Sequence, residues 1–232
     1  MVHCVVKNVT TLSRVDSELL NEIDLFAELD AGSVDRMRAA AVRRELVRGD
    51  VLFTEGDEPS HLYVVTSGRI AISNRSIDDR ESMVALMERG DLFGEMGLFT
   101  NDGRSAEARS LEASSVLEIP YAPLQATYEE QPAQLWPVVR LLSKRLATIN
   151  GALADSVFLD VTGRTAKRLL EIAGDDDEFA LPITQEELAG MVGASRERVN
   201  KAIASFIRLG WLEQVDRRYR ITNREQLTIR AR

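Results

Sequence analysis

The chain has 232 residues, enough for one or two domains, and 44% of them are apolar, enough for packed cores. It has no uninterrupted apolar run of about 18 residues, so no membrane span is expected, and its N-terminus lacks the basic-then-apolar pattern of a signal peptide. One cysteine, Cys4, excludes a disulfide framework and an iron–sulfur centre, which needs about four thiolates, and fits a reducing cytoplasm; the net charge of −8 excludes a uniformly basic nucleic-acid binder.

Residues 1–14 show no periodicity and are expected to fray. Leu19, Leu20, Ile23 and Phe26 predict a short helix, and a second is expected around Ser33–Arg44. From Glu45 to about Tyr121 short alternating runs take over: Val51–Phe53, Leu62–Val65, Arg69–Ser73, Met83–Met87 and Ser115–Ile119. Gly49-Asp50, Gly56-Asp57, Ser67-Gly68 and Gly90-Asp91 punctuate them, so the region reads as an antiparallel roll of short strands. Residues 133–157 predict one long helix, roughly 37 Å at 1.5 Å per residue. Along it Leu142, Leu146, Ile149, Leu153 and Ser156 follow alternating four- and three-residue steps, a coiled-coil seam of about two heptads. A narrow seam on a long helix favours a partner helix and hence a parallel homodimer. Phe158-Leu159 breaks the pattern and marks a hinge, and Asp160 is placed to cap a helix over Val161–Ala173.

Two stretches carry chemistry. The first is Leu92–Arg109, a glycine-rich turn with one carboxylate and one guanidinium close by. Gly94 and Gly97 let backbone approach a ligand, and N–H groups around Met96 at the start of the Glu95–Phe99 segment can hold an anion. Arg104 offers a planar fork of donors to a phosphate, Ser105 a hydroxyl, and Glu95 an acceptor for a sugar hydroxyl. Together they suit a cyclic nucleotide. The same residue types equally allow an ion pair between Glu95 and Arg104 across a loop.

The second is Thr184–Ala202, which reads as helix, tight turn, helix. Thr184 and Glu187 form a capping box, Gly193-Ala194 turns the chain, and Ser195 caps a second helix that buries Val199, Ala202, Ile203 and Phe206. Arg196, Glu197, Asn200 and Lys201 fall on its other face, and those residue types match base edges. Gly210 ends this helix, and Trp211–Val215 with Arg218–Thr222 reads as a hairpin around Asp216-Arg217. Arg217, Arg218 and Arg220 on that hairpin, with Thr184, can meet backbone phosphate. Residues 160–232 hold 13 Lys and Arg against 12 Asp and Glu, whereas residues 1–159 hold 16 against 25. With the run Asp175–Glu178 set aside as a loop, the remaining C-terminal surface stands at about +5, so a local basic surface is expected despite the global sum.

The two motifs in this order resemble the CRP/FNR family of bacterial transcription regulators, from about Leu19 to the C-terminus. The resemblance is carried by Phe93-Gly94-Glu95-Met96, Arg104-Ser105-Ala106, Phe158–Arg164 and Val192–Glu197. It is strongest to the cyclic-AMP receptor branch, including its actinobacterial members. It implies an α+β protein: an N-terminal antiparallel, jelly-roll-like cyclic-nucleotide-binding β-roll with N-terminal helices over 1–130, a long dimerisation helix over 131–158, and a C-terminal winged helix-turn-helix DNA-binding domain over 159–232. By resemblance, Glu95 accepts the ribose 2′-hydroxyl, Arg104 and Ser105 hold the cyclic phosphate, the backbone of Gly94–Met96 lines the site, and Arg145 pairs with the pocket carboxylate. The implied partners are cyclic AMP as effector, a near-palindromic operator with half-sites about one helical turn apart, a second copy of the chain, and RNA polymerase. No metal, membrane or catalytic role is implied.

One departure stands out. The two helix positions that read the adenine amino group are commonly Thr-Ser or Thr-Asn in the family; here they are Ile149-Asn150. A buried amino group left unpaired costs roughly 1–3 kcal/mol, although the Asn150 amide can donate and accept and could serve a guanine instead. Ile149 also strengthens the seam, which would bring the ligand-free dimer nearer its active form. Other readings therefore stay open: a regulator that binds DNA without cyclic AMP, one that senses cyclic GMP, or a haem-based gas sensor using His3, His61 or Cys4. An enzyme is disfavoured, because no nucleophile–base–orienter set stands out and Walker-type loops and zinc-ligand spacings are missing from the sequence.

Overall fold

The computed structural model describes residues 13–75, 81–100, 102–216 and 218–232. The expected fraying of residues 1–14 therefore falls almost wholly outside the described residues, as do His3 and Cys4. The chain divides into two compact units, one running to Arg145 apart from Glu81–Met83, the other comprising those three residues and Leu146–Arg232.

The first unit opens with α1 (Arg14–Glu22), α2 (Asp24–Ala27) and α3 (Ala31–Ala40). A capping box between Ser13 and Asp16 starts α1, and the Asp30 side chain accepts the Ser33 N–H to start α3. The helix expected to reach Arg44 stops at Ala40. Ala41 is extended, and Val42–Leu46 forms strand β1, paired antiparallel with residues 114–118. Val42, Arg43, Arg44, Glu45 and Leu46 alternate too weakly to announce a strand by themselves; pairing with a buried neighbour overrides the helical pattern.

The roll then follows as β2 (Val51–Phe53), β3 (His61–Ser67), β4 (Ile70–Arg75), β5 (Glu81–Met87), β6 (Leu92–Phe93), β7 (Glu107–Ser110) and β8 (Ser114–Pro120). Two four-stranded sheets result, ordered β1-β8-β3-β6 and β2-β7-β4-β5, and their registered pairs run antiparallel. Strand β3 shows why the roll is stable. Its alternate residues feed two cores: Leu62 and Val64 pack with the N-terminal helices, Tyr63 and Val65 with Phe93, Ile70 and Val116 inside the roll. Strands β6 and β7 were not expected, since a two-residue strand has no period and Glu-Ala-Arg-Ser has little apolar signal. Helix α4 (Tyr121–Glu130) was likewise unexpected; it buries Tyr121, Leu124, Thr127 and Tyr128. A 3₁₀ turn at Pro132–Leu135 precedes α5 (Trp136–Phe158), three residues shorter at its start than expected because the turn takes up the proline.

The second unit holds α6 (Val161–Ala173), β9 (Glu178–Ala180), α7 (Gln185–Val192), α8 (Arg196–Arg208), β10 (Leu212–Val215), β11 (Arg218–Ile221) and α9 (Arg224–Arg230). Ala166, Leu169, Leu188, Val199, Phe206 and Leu212 form its buried centre. The expected hairpin is present as β10 and β11, but β9 adds a third strand beside β11. Both β9 and α9 extend the sequence-based reading. Asp160 caps α6 through the Gly163 N–H, and its carboxylate also binds Arg230 of α9. Gly163 lies close against α9, where an added Cβ would meet the Arg230 carbonyl at 3.0 Å.

Candidate ligand pocket and DNA-reading surface

The pocket is assembled around the end of β6. Phe93 pairs with Tyr63, and the chain then breaks at Gly94, whose φ of +80° excludes most side chains. A Cβ at Gly94 would sit 2.8 Å from the Arg104 Nη1. Glu95 follows and leads into a 3₁₀ turn at Met96–Leu98. Arg104 is fixed by its own backbone: its N–H donates to the Asp57 carbonyl and its carbonyl accepts from the Gly56 N–H, both at 2.8 Å. The two predicted pocket side chains are thus brought to one place by two different turns.

Their partners are informative. Glu95 is 1% exposed and pairs with Arg145 of α5, which also donates to the Leu92 carbonyl. The ion pair that Glu95 could have made with Arg104 is not formed. Arg104 is 7% exposed. Its Nη1 donates to the Gly94 carbonyl (2.9 Å) and the Tyr121 hydroxyl (3.0 Å), and its Nη2 to the His61 carbonyl (2.7 Å). The Phe53 ring lies 4.2 Å from the guanidinium carbon, and Phe53, Tyr63 and Phe93 form a ring cluster. No carboxylate pairs with Arg104 among the described residues, so this buried cation is satisfied only by neutral groups. Two buried polar atoms of the site have no hydrogen-bond partner: Arg104 Nε and Glu95 Oε2. One is an orphan donor and the other an orphan acceptor.

Burial raises the Tyr63 hydroxyl pKa well above the usual phenol range and also raises that of Tyr121, so both stay protonated. Ser105 is exposed, as is Met96, while Gly94 is half-buried. Asn150 and Ile149 of α5 are also exposed. His61 opens β3, with its ring 2.7 Å from the Ser60 hydroxyl and its carbonyl occupied by Arg104. Tyr121 and Phe53 were missed by sequence reasoning, because an aromatic residue near a strand end reads as core.

The helix-turn-helix forms as its residues predict. Thr184 and Glu187 exchange capping-box bonds, Gly193 is left-handed at φ +67°, and the Ser195 hydroxyl accepts the Arg198 N–H. Arg164 of α6 ties the turn down by donating to the carbonyls of Val192 and Leu159. On α8, Arg196, Glu197, Arg198 and Lys201 are exposed; Arg198 joins the expected face. Glu197 and Lys201 pair at 2.7 Å, and the lysine holds the Glu197 carboxyl below the usual carboxylate range. Asn200 differs from expectation. It is half-buried and its Oδ1 is enclosed without a partner, because it follows the buried Val199 on the flank of the helix rather than at its crest.

The hairpin tip contains Asp216 at φ +56°; Arg217 lies outside the described residues, and Arg218 is exposed. Arg220 is not free for phosphate as expected, since Glu178 of β9 takes it at 2.6 Å. Asp177 similarly pairs with Arg224 at 3.1 Å. The run Asp175–Glu178 is therefore not a detached acidic loop: Glu178 belongs to a strand, and the run neutralises arginines that the charge count had left available. Among the described residues no group of His, Cys, Asp and Glu is placed to hold a metal ion, and no helix is long and apolar enough to cross a membrane.

Comparison with known proteins bears on both sites. Residues 43–131 match the cyclic nucleotide-binding domain, and residues 163–229 match the Crp-like helix-turn-helix domain. Fold and site thus define a DNA-binding transcription regulator with a cyclic-nucleotide effector domain. The chain is 33% identical over 222 residues to the CRP-like cAMP-activated global transcriptional regulator of Mycobacterium tuberculosis, covering 93% of this chain and 99% of that protein. It is 31% identical over 183 residues to the cAMP-activated global transcriptional regulator Vfr of Pseudomonas aeruginosa, covering 75% and 86%. Among solved structures it is similar to the c-di-GMP-responsive global regulator CLP of Xanthomonas campestris, with a TM-score of 0.71 and 29% identity over 83% of this chain and 99% of that one. The chain belongs to the CRP/FNR family of transcription regulators.

Proposed function

We propose that cyclic AMP is the effector and that it binds at Glu95 and Arg104 to set the affinity of a homodimer for a near-palindromic operator. The observation that carries this reading is the pair of buried, unpartnered atoms. Arg104 Nε with the remaining Nη2 hydrogen suits a phosphate oxygen pair, and Glu95 Oε2 suits a ribose hydroxyl. Unpaired buried groups are costly, and a ligand that satisfies both relieves that cost. Gly94 and Met96 line the site through backbone, Ser105 adds a hydroxyl to the phosphate, and Arg145 positions Glu95. Asn150 would face the base in place of the family's usual hydrogen-bonding pair. The cAMP-activated relatives support the choice of nucleotide.

The working parts are residues 1–130 for effector binding, 131–158 for dimerisation and 159–232 for DNA. Arg196, Glu197, Asn200 and Lys201 read the major groove, and Thr184, Ser195, Arg217 and Arg218 hold backbone phosphate. For Asn200 this requires the amide to turn outward, and Glu197 and Lys201 must exchange their mutual bond for bases. RNA polymerase as a partner and the cytoplasm as the site of action accompany this role. The test is to titrate cyclic AMP and cyclic GMP against binding to a duplex selected by the protein from a random pool, at fixed salt. Cyclic AMP is expected to raise DNA affinity. Arg104→Leu is expected to abolish the response while leaving the dimer folded; unchanged nucleotide affinity in that variant overturns the pocket assignment.

A further inference from the structure

Arg104 has five N–H donors, and the structure spends them unequally. Nη1 donates to the Gly94 carbonyl and the Tyr121 hydroxyl, which lie side by side, and Nη2 donates to the His61 carbonyl. The Nε–H has no partner, and it belongs to the edge of the guanidinium, shared with Nη2, that makes parallel bonds to an oxyanion. The tyrosine is itself fixed, being 5% exposed and donating its own proton to the Gly94 carbonyl. Gly97 makes room for it: a Cβ there would lie 2.9 Å from the Tyr121 hydroxyl. The Phe53 ring at 4.2 Å closes one face of the guanidinium, so the plane is held as well as the edge.

We propose that Tyr121 is a positioning residue for phosphate recognition. Its hydroxyl occupies the far edge of Arg104, so that the Nε edge is the one presented to the anion. Tyr121 acts through the arginine and does not touch the ligand. The proposal rests on the reading of Glu95 and Arg104 as the nucleotide pocket.

The test is calorimetric binding of cyclic AMP to the full-length protein and to Tyr121→Phe, Arg104→Lys and the double variant, with Tyr128→Phe as control. Tyr128 is another buried tyrosine, and its hydroxyl has no hydrogen-bond partner. Losing one hydrogen bond to a charged group should weaken binding by roughly tenfold or more in Tyr121→Phe. Tyr128→Phe should leave affinity unchanged. A tenfold loss could also come from general loosening, so the double variant decides. A lysine has no second edge to orient, and Tyr121→Phe should then cost little on the Arg104→Lys background. Tyr121→Phe at wild-type affinity, or a full additive loss in the double variant, overturns the positioning role while leaving the pocket intact. Wild-type protein that binds neither cyclic AMP nor cyclic GMP overturns both readings.

Discussion

A buried guanidinium with no carboxylate partner is unusual, because a desolvated cation is costly unless something compensates it. Here carbonyl dipoles, a hydroxyl and an aromatic face compensate Arg104 only in part, which is what makes the position receptive to an anion. Gly94 is the residue on which this depends. Its carbonyl receives both Arg104 and Tyr121, and its φ of +80° is a conformation that most side chains exclude. Gly94→Ala places a Cβ 2.8 Å from Nη1 and adds left-handed strain of about 1 kcal/mol. The expected result is at least about tenfold weaker nucleotide binding, since the donor edge is displaced, with a stability loss of the order of 1 kcal/mol. Isothermal calorimetry and a denaturant titration separate the two effects. Glu95 and Arg104 were both legible in the sequence, because glycine turns beside a carboxylate and an arginine have a chemical meaning. Their pairing was legible only through the family resemblance: the acid's partner, Arg145, lies 50 residues away along the chain, and no local pattern encodes a bond of that span.

At the scale of elements, the same contrast recurs. Helix α6 and the pair α7–α8 were read within a residue or so of their observed ends, because caps and left-handed glycines are local signals. Strands β6, β7 and β9 and helix α9 were missed, because their existence depends on neighbours. Strand β9, for example, has one buried residue, Phe179, stacked on Tyr219 at 5.8 Å. Helix α9 is held by its buried Leu227 and by Asp160, which both caps α6 and binds Arg230. The Gly163 N–H, then Arg230, hold the Asp160 carboxyl below its usual value. A carboxylate with a lowered folded-state pKa contributes stability that is present above its unfolded pKa. That stability is lost as pH falls through the folded value. The α6–α9 clasp should therefore weaken only in acid, below pH about 4, and be constant near neutrality. Asp160→Ala should cost about 1 kcal/mol at pH 7 for the cap alone, and the wild-type–variant difference should shrink as the pH falls through the lowered pKa of Asp160. A difference that persists unchanged in acid would show that the carboxylate's charge is not what stabilises the junction.

For the molecule as a whole, the decisive surface is the stripe on α5. Leu146, Ile149 and Leu153 are 58%, 59% and 63% exposed, and Leu142 is 36% exposed on the same seam. Four large apolar side chains at coiled-coil spacing would each gain roughly 1.5–3 kcal/mol from full burial. A run of about two heptads is nevertheless short for an independent coiled coil. Such a dimer is poised, and small contributions decide how well the helices pair. This gives Arg145 a double meaning: it belongs to the same helix and reaches Glu95 from it, so whatever occupies Glu95 also bears on α5. Leu146→Glu would place a carboxylate in the seam opposite its own copy, where desolvation costs several kcal/mol and like charges repel. Sedimentation should then find a monomer at concentrations where the unaltered protein is a dimer. Operator affinity should fall steeply, because one DNA-binding unit engages only one half-site. Cyclic-nucleotide affinity should fall far less, since Glu95, Arg104 and Arg145 all lie in one unit of a single chain. A variant that stays dimeric would place the interface elsewhere than the Leu142–Leu153 stripe, whereas a monomer that keeps full operator affinity would break the link between pairing of α5 and reading of DNA.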